Sequence, residues 1–301
     1  MKNMNKYENC LLCPRKCGIN RSTGQTGVCG VSSEIKVARA ALHYWEEPCI
    51  SGKRGSGAVF FSGCSLHCVF CQNREISDGK EGKLISKERL SDIFMELADK
   101  GANNINLVTP GQYIPDIVWA VNDAKSRGMK LPIIYNTSGY ENVTELKLFE
   151  GIVDVYLPDF KYMDSTLSAM YSRAKDYPSV AKQALSEMVR QQPDVVIDDA
   201  TGLIQKGVIV RQLLLPGHVN DAKAVLKYLY DTYHDHVYIS MMSQFTPIAL
   251  KDYPEINRTV TRREYERLVD YALEIGITNA FIQEGDVAKD SFIPAFDCER
   301  V

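Results

Sequence analysis

The stretch FFSGCSLHCVFCQNREIS, residues 60–77, decides how this chain is interpreted. Its first residues belong to an apolar run that is predicted as a strand over Ala58–Ser62. Cys64, Cys68 and Cys71 follow this run with the spacing C-x3-C-x2-C. Three thiolates on one short loop can hold three irons of a four-iron cube, whose usual set is four thiolates. No fourth cysteine lies close by in the sequence, so one iron would keep an open position for a substrate or cofactor, as catalytic zinc sites do.

A zinc knuckle is the alternative for the same loop, with His67 as its fourth ligand. Ligand softness alone does not separate zinc from iron. His67 directly precedes Cys68, however, so ligation of one ion by both side chains is awkward. The spacing therefore favours an iron–sulfur cluster.

Working outward from this loop, short apolar runs alternate with amphipathic stretches. The predicted strands are Ala58–Ser62, Ile105–Val108, Pro132–Tyr135, Val153–Leu157, Val208–Leu214, Val237–Met241 and Ala280–Ile282. The predicted helices are Lys87–Lys100, Ile114–Arg127, Glu141–Phe149, Leu167–Arg190, Asp221–Tyr233 and Arg262–Ile275. This alternation predicts an α/β fold in which helices cover a parallel sheet. We expect a partial (β/α)6 TIM-like barrel, with a full barrel or a doubly wound sheet as alternatives.

Polar and turn residues gather where the predicted strands end. Because ligands bind at the carboxyl ends of parallel strands in both barrels and open sheets, we expect one site built from many loops. Turns alone also require such residues, which is the structural alternative. The segments concerned are 63–64, 109–111, 136–139, 158–161, 216–218 and 243–244.

The N-terminal part, residues 1–57, is predicted to be a separate cysteine-rich segment, and residues 58–301 to be the core domain. Cys10, Cys13, Cys17 and Cys29 form a complete set of four soft ligands, C-x2-C-x3-C-x11-C. A second iron–sulfur cluster and a structural zinc site both fit this set, and cysteines without metal are the third alternative. The segment His43–Glu47, just before the first predicted strand, is a candidate lid or substrate-facing segment.

Composition limits the protein class. Of 301 residues 24% are charged, and 35 basic against 38 acidic residues give a net charge of −3, which indicates no dedicated nucleic-acid binder. No run reaches the roughly 18 apolar residues of a membrane span, and the first residues have no apolar signal-peptide core. Seven of the nine cysteines fall in two tight groups, which is typical of metal ligands in a reducing compartment. We therefore expect a cytoplasmic protein.

These motifs resemble the radical S-adenosylmethionine (radical SAM) superfamily, and within it the PflX-type branch of homologues of the pyruvate formate-lyase activating enzyme. The likeness includes the aromatic Phe70 before the last cysteine of the loop and covers nearly the whole chain. The matching stretches are CLLCPRKCGINR, LHYWEEPCISG, GSGAVFFSGCSLHCVFCQNREIS, NINLVTP, NTSGY, VDVYLPDFKY, VIVRQLLLPG and MSQFTP.

The resemblance implies a [4Fe-4S] cluster on Cys64, Cys68 and Cys71 with S-adenosylmethionine chelated at the open iron. One electron from the cluster would break the carbon–sulfur bond and leave methionine and a 5′-deoxyadenosyl radical, which abstracts hydrogen from a substrate. A flavodoxin or ferredoxin is the implied electron donor. The residues that the resemblance places around the cofactor are Phe70, Gln72, Asn73, Thr109, Asn136, Ser138, Asp159, Lys161, Arg211 and Gln244.

Two of these positions depart from the family pattern. Val108-Thr109-Pro110 stands where a Gly-Gly-Glu element usually grips the methionine amino group, and Asn136 stands where activating enzymes carry Asp. Asp159 and Lys161 match an Asp-x-Lys element. Arg211 lies in an otherwise apolar strand, where a charge needs a partner, either the cofactor carboxylate or a protein group such as Asp159.

Three functions follow from these motifs. The first is activation of a glycyl-radical enzyme by hydrogen abstraction from a backbone glycine. The second is radical chemistry on a small molecule or another macromolecule, which the additional N-terminal cysteines favour. The third is a non-catalytic zinc-binding module.

Overall fold

The computed structural model describes residues 5–248, 250–283 and 294–301. Its strands are β1 Ile35–His43, β2 Ser56–Phe61, β3 Lys83–Ile85, β4 Ile105–Val108, β5 Ile133–Thr137, β6 Val155–Pro158, β7 Val196–Ile197, β8 Ile204–Leu213, β9 Tyr238–Met242 and β10 Ala280–Ile282. Its helices are α1 Pro48–Ser51, α2 Arg74–Ser77, α3 Lys87–Asp99, α4 Ile114–Ser126, α5 Val143–Leu146, α6 Ser165–Ser172, α7 Tyr177–Gln191, α8 Val219–Tyr233 and α9 Arg262–Glu274. Short 3-10 turns lie at Arg21–Thr23, Gly111–Tyr113, Lys147–Phe149, His234–His236 and Pro254–Ile256.

One mixed sheet organises the chain, with strands in the order β10-β9-β8-β6-β5-β4-β2-β1-β3 and β7 paired with β8. Strands β2, β4, β5, β6, β8, β9 and β10 run parallel to one another, and β7 pairs antiparallel with β8. Strands β1 and β3 continue the sheet in antiparallel pairing at one edge. The expected α/β fold, a partial TIM-like barrel, is confirmed. In the described part of the chain, no helix is long and apolar enough to cross a bilayer.

Burial explains why the central strands read as continuous apolar runs. Every residue of β2, β4 and β6 is buried, because helices cover parallel strands on one face and barrel packing covers the other. Helix α3 buries Leu90, Ile93, Phe94 and Leu97, as its spacing predicts. Ser86 caps it by accepting a hydrogen bond from the backbone of Arg89.

The sequence predicted one helix over Leu167–Arg190, and the structure divides it into α6 and α7. Arg173 has φ = 50° and ends α6 in a left-handed cap. The pyrrolidine ring of Pro178 fits the first turn of a new helix. The helix predicted over Glu141–Phe149 is also shorter, because Asn142 caps α5 only at Val143 and a 3-10 turn follows.

Strand β1 was missing from the predicted elements. Its burial does not alternate strictly, since the register with β2 shifts between Val37 and Arg39, and this irregularity hides the strand in the sequence. β1 lies within residues 1–57 and pairs with β2. The proposed domain boundary at residue 57 stays a prediction.

Glu264 stabilises the first turn of α9 through a capping box with Thr261, and its replacement is expected to lower the stability of the protein. Its carboxylate accepts from the backbone of Thr261 (2.9 Å) and of Gly217 (2.7 Å), and it pairs with Arg258 at 2.7 Å. The Arg258 guanidinium and these N–H groups hold the pKa of Glu264 well below its usual range. Glu264→Gln should therefore lower the free energy of unfolding by about 2 kcal/mol at pH 7.

The sign of the pH dependence follows from the lowered pKa. The ionised carboxylate stabilises the fold above the usual carboxyl pKa, and this contribution is lost as pH falls towards the lowered value. Urea unfolding should thus show a smaller difference between wild type and Glu264→Gln at pH 3.5 than at pH 7. The control is Glu266→Gln, whose partner Arg262 is exposed, and its cost should stay below about 0.5 kcal/mol.

Candidate functional site

A cavity of about 580 Å³ lies at the carboxyl ends of the parallel strands, within the usual size range of ligand pockets. The three cysteines of the central loop and all ten predicted cofactor residues line it. They are Cys64, Cys68, Cys71, Phe70, Gln72, Asn73, Thr109, Asn136, Ser138, Asp159, Lys161, Arg211 and Gln244. The structure therefore brings the predicted residues to one place, while their individual roles stay predictions.

The loop after β2 supplies the thiols. The N–H of Leu66 donates to Cys64 Sγ at 3.4 Å, and the hydroxyl of Ser172 donates to Cys68 Sγ at 3.1 Å. Tyr162 Oη lies 2.8 Å from Ser172 Oγ and extends this chain of hydrogen bonds. Donors aimed at sulfur stabilise the thiolate form that ligates metals. Sequence inspection missed Ser172, which lies 104 positions away from Cys68.

Burial raises the pKa of Cys68 to about 11 and that of Cys71 to about 12. Bound metal deprotonates a coordinating thiol outright, so these sulfurs gain their charge through ligation. Three thiols on one loop beside a ligand-sized cavity are the donor set that a four-iron cluster with one open iron needs.

The zinc-knuckle alternative fits this loop less well. The His67 ring nitrogen Nε2 contacts the carbonyl oxygen of Val28 at 2.5 Å, which ties the N-terminal segment to the cysteine loop. Among residues 5–248, 250–283 and 294–301, no three His, Cys, Asp or Glu side chains converge closely enough to hold a single ion.

Asp159 and Lys161 form an ion pair of 2.5 Å in the cavity wall, as expected for side chains two residues apart on an extended segment. The Lys161 side chain is only 12% exposed. Burial alone would lower the pKa of Lys161, but the Asp159 carboxylate and the Cys68 thiol outweigh it and raise that pKa. Lys161 therefore keeps its positive charge beside the cysteine loop.

Arg211 forms ion pairs with Glu46 and Glu47. The alternative that Asp159 is its ion-pair partner was wrong, because Asp159 pairs with Lys161. Its guanidinium donates to Glu47 at 2.8 Å from Nε and 2.6 Å from Nη2, and it also contacts the Glu46 carboxylate. Asn136 Oδ1 lies 3.5 Å away. Two carboxylates thus face one guanidinium, which leaves this part of the cavity negatively charged.

The segment predicted as a lid or substrate-facing piece does reach the cavity: His43, Trp45, Glu46 and Glu47 line it. It is held there through Glu46, whose carboxylate accepts from the Asn106 side chain at 2.9 Å. The antiparallel strand β1 delivers this segment to the carboxyl edge of the parallel sheet.

Thr109 stands out for its backbone. It has φ = 56°, a left-handed conformation that is rare for a β-branched residue and typical of functional sites. The Gln112 side chain fixes it by donating to the carbonyl of Thr109 at 2.9 Å, and also to those of Ser62 and Gly63. Gln112 thereby links the exits of β2 and β4, and no sequence pattern indicated this contact.

Glutamine side chains connect the other end of the cysteine loop to the exit of β9. Gln72 donates to the carbonyl of Gln244 at 3.0 Å, and Gln283 donates to the Gln244 side chain at 3.0 Å. Phe70 packs against Phe245 with ring centroids 5.7 Å apart and closes this side of the cavity.

The N-terminal cysteines Cys10, Cys13, Cys17 and Cys29 line a second, smaller cavity together. Thr109 and Ser138 line both cavities. The remaining cysteines, Cys49 and Cys298, line neither.

Comparison with known proteins covers both the cysteine loop and the fold. Residues 51–174 match a 4Fe-4S single cluster domain. The uncharacterized protein MJ0674 of Methanocaldococcus jannaschii is 28% identical over 276 residues, which is 89% of this chain and 75% of that protein.

Among solved structures, HydG, a maturase of the [FeFe]-hydrogenase, matches with a TM-score of 0.50 and 16% identity over 76% of this chain and 51% of that one. SuiB of Streptococcus suis bound to S-adenosylmethionine matches with a TM-score of 0.48 and 12% identity over 74% and 48%. The chain thus spans about half the length of these structures.

The 4Fe-4S match spans Cys64, Cys68 and Cys71, and HydG shares the α/β fold. Together with the geometry of the cavity, the match indicates that these cysteines form an iron–sulfur site.

Ser172 gives a prediction that does not depend on turnover. Hydrogen bonds to ligating sulfur stabilise the reduced, more negative state of a cluster, so their loss lowers its reduction potential. Ser172→Ala should therefore lower the midpoint potential of the reconstituted cluster, measured by an anaerobic redox titration followed by electron paramagnetic resonance (EPR). The control is Ser168→Ala, a buried serine one turn earlier whose hydroxyl bonds the carbonyl of Ser165. An equal shift in both variants would assign the effect to α6 rather than to the Ser172 hydroxyl.

Proposed function

We propose that this protein is a radical SAM enzyme in which Cys64, Cys68 and Cys71 hold a [4Fe-4S] cluster and the adjoining cavity binds S-adenosylmethionine. The observation that carries the proposal is that these thiols and the ten predicted cofactor residues line one cavity at the carboxyl edge of the sheet. When bound, the two groups supply one-electron reductive cleavage to methionine and a hydrogen-abstracting 5′-deoxyadenosyl radical.

The protein's own residues position and shield this chemistry. Ser172 and the backbone of Leu66 donate to two of the ligating sulfurs, and Lys161 places a fixed positive charge beside the anionic loop. Phe70 and Phe245 pack together at the wall and keep water from the reacting atoms. The Arg211 guanidinium is occupied by Glu46 and Glu47, so Asn136, Ser138 and Lys161 are our first candidates for contacts with the methionine part.

The test uses the anaerobically reconstituted full chain. After reduction with dithionite, its EPR spectrum should show a cubane signal that changes when S-adenosylmethionine is added. The mixture should release 5′-deoxyadenosine. A colourless protein that contains zinc alone would support the non-catalytic module instead.

For the substrate, we propose a glycine in a loop of a glycyl-radical enzyme. Two large apolar side chains in the cavity lining are well exposed, Trp45 at 61% and Ile282 at 43%. Exposed aromatic and aliphatic groups beside a pocket are typical of surfaces that receive a polypeptide. The resemblance of the strand-exit loops to activating enzymes supports the same choice.

Label transfer tests this choice directly. A candidate glycyl-radical enzyme made with α-deuterated glycine should pass deuterium into 5′-deoxyadenosine, and a matched sample labelled at alanine should not. Transfer from neither sample, while 5′-deoxyadenosine still forms, would contradict the activating role. It would favour the second candidate, a small molecule or another macromolecule as the substrate. The additional N-terminal cysteines are the observation that supports this second candidate.

Two further assignments complete the proposal. A flavodoxin or ferredoxin supplies the electron, because the cluster needs a one-electron donor of low potential. We propose a cytoplasmic location, since seven of the nine cysteines fall in two tight groups, as metal ligands do in proteins of reducing compartments.

A further inference from the structure

Arg21 is an almost completely buried cation in the N-terminal segment, with 1% of its surface exposed. Its guanidinium donates to the carbonyl oxygens of Ser32 (2.5 Å), Gln112 (2.8 Å) and Val31 (3.1 Å), and it reaches Cys10 Sγ at 3.7 Å. Backbone carbonyls satisfy its N–H groups but do not neutralise its charge. A guanidinium does not lose its proton in a protein, so burial here requires an anion nearby.

No carboxylate meets this need within ion-pair distance in the described part of the chain. Tyr7 and Tyr113 cover the guanidinium at 5.1 and 5.8 Å from their ring centroids, and these rings supply cation–π contacts without a net charge. The Asp116 carboxylate is one hydrogen bond away, on the Tyr7 hydroxyl at 2.5 Å, so metal-bound cysteine thiolates are the anions that can touch the guanidinium, and Cys10 is in contact.

Four thiols share the neighbouring space. Cys10, Cys13, Cys17 and Cys29 all line the second cavity, together with Arg21. The loop between them is closed by backbone hydrogen bonds from Gly18 to Cys10 and from Cys10 to Ile19, each of 3.0 Å. Gly27 is needed for this packing, because a Cβ at that position would lie 2.9 Å from Cys17 Sγ.

We propose that Cys10, Cys13, Cys17 and Cys29 hold a second iron–sulfur cluster and that Arg21 is its buried counter-charge. Four thiolates complete the usual ligand set of such a cluster, whose net charge is negative, and Arg21 offsets that charge. The N-terminal thiols resemble the central three in one respect: they line a cavity without converging on a single-ion site among the described residues.

The position of this second site indicates an electronic role. The N–H of Cys64 donates to the carbonyl of Cys29 at 3.2 Å, so a ligand of one set is hydrogen-bonded to a ligand of the other. Ser65, the residue after Cys64, lines the second cavity, and Thr109 and Ser138 form a wall common to both. We infer that electrons pass between the two clusters through this hydrogen bond and the shared wall. This relay rests on the proposed function of the central cluster.

Metal analysis of the full chain tests the site separately from the proposed function. The variant with Cys64, Cys68 and Cys71 all replaced by alanine should retain about four irons and four sulfides, against about eight of each in the wild type. Its EPR signal should not respond to S-adenosylmethionine. Zinc, or no iron, in this variant would overturn the second cluster whether or not the wild type cleaves S-adenosylmethionine.

Complementary variants guard against loss of folding. The double variant Cys13→Ala/Cys17→Ala should fall to about four irons and keep the response to S-adenosylmethionine, which also shows that its core is folded. Cys298→Ala, a cysteine outside both sets, should keep about eight. An unchanged iron content in the double variant would contradict the assignment of ligands.

Two spectroscopic measurements test the adjacency and the counter-charge. The fully reduced wild type should show spin–spin coupling between clusters, and this coupling should vanish in either cysteine variant. Arg21→Gln should lower the potential of the N-terminal cluster, because a positive charge that stabilises the reduced state is lost, whereas Arg21→Lys should stay close to wild type. Equal potentials in all three proteins would refute the role of Arg21.

Discussion

Replacing Cys68 with alanine is expected to reduce the release of 5′-deoxyadenosine to background. Cys68 is the middle ligand of the central loop, and its sulfur accepts the hydrogen bond of Ser172. Two remaining thiols, Cys64 and Cys71, cannot hold three irons of a cube, so the iron that must stay open for S-adenosylmethionine is not defined. The measurement is 5′-deoxyadenosine per chain after anaerobic incubation with dithionite and S-adenosylmethionine.

The matched control is Cys298→Ala, which removes a half-buried thiol that lines neither cavity and should release as much 5′-deoxyadenosine as the wild type. Iron and circular-dichroism measurements on both variants separate loss of the cluster from loss of the fold. Wild-type release by Cys68→Ala would remove the central cysteines from the chemistry and with them the proposed function.

The sequence located the first cavity correctly because of a geometric property of parallel sheets. Carboxyl ends of neighbouring parallel strands meet at one edge, so polar residues at separate strand exits become neighbours without any knowledge of the packing. Thr109 after β4, Asn136 near the end of β5 and Asp159 after β6 were placed together on this principle, and all three line the cavity.

The contacts within the cavity could not be predicted in the same way, because they join residues far apart in the chain. A charge in the apolar strand β8 indicated that Arg211 needs a partner, but not that Glu46 and Glu47 supply it from 165 and 164 positions away. Strand β1 brings Glu46 and Glu47 to the cavity, and its irregular burial pattern kept this strand from being predicted. Gln112 and Ser172 belong to ordinary helical or turn segments, and only the folded arrangement aims them at the cysteine loop.

Local signals were also too weak to divide the segment from Leu167 to Arg190. Arg173 carries no feature that favours a left-handed backbone, so helix propensity alone continues through it. The break nevertheless has a consequence for the site. It ends α6 directly after Ser172, whose hydroxyl contacts Cys68.

The second large effect is expected from Arg211→Met, which removes the only guanidinium that pairs with Glu46 and Glu47 within the described residues. The side chains of Arg211 and Glu47 are 11% and 6% exposed, so the variant leaves two buried carboxylates without a cation. Breaking a buried ion pair on one side costs about 3–5 kcal/mol. Anaerobic urea unfolding at equal cluster content should show a loss of this size at pH 8.

The dependence on pH separates this charge effect from a packing defect. Burial would raise the pKa of Glu47, but Arg211 outweighs burial and lowers it, so in the wild type the pair stabilises the fold above the usual carboxyl pKa and is lost only in acid. Without Arg211, burial is the largest influence left, opposed only by hydrogen bonds from Ser240 and the backbone, so the pKa of Glu47 rises and stability falls as pH rises through the raised value. The penalty of Arg211→Met should therefore be larger at pH 8 than at pH 5, and adding Glu46→Gln and Glu47→Gln should recover most of it. A penalty independent of pH and of these second changes would mean that Arg211 acts through its volume and not through its charge.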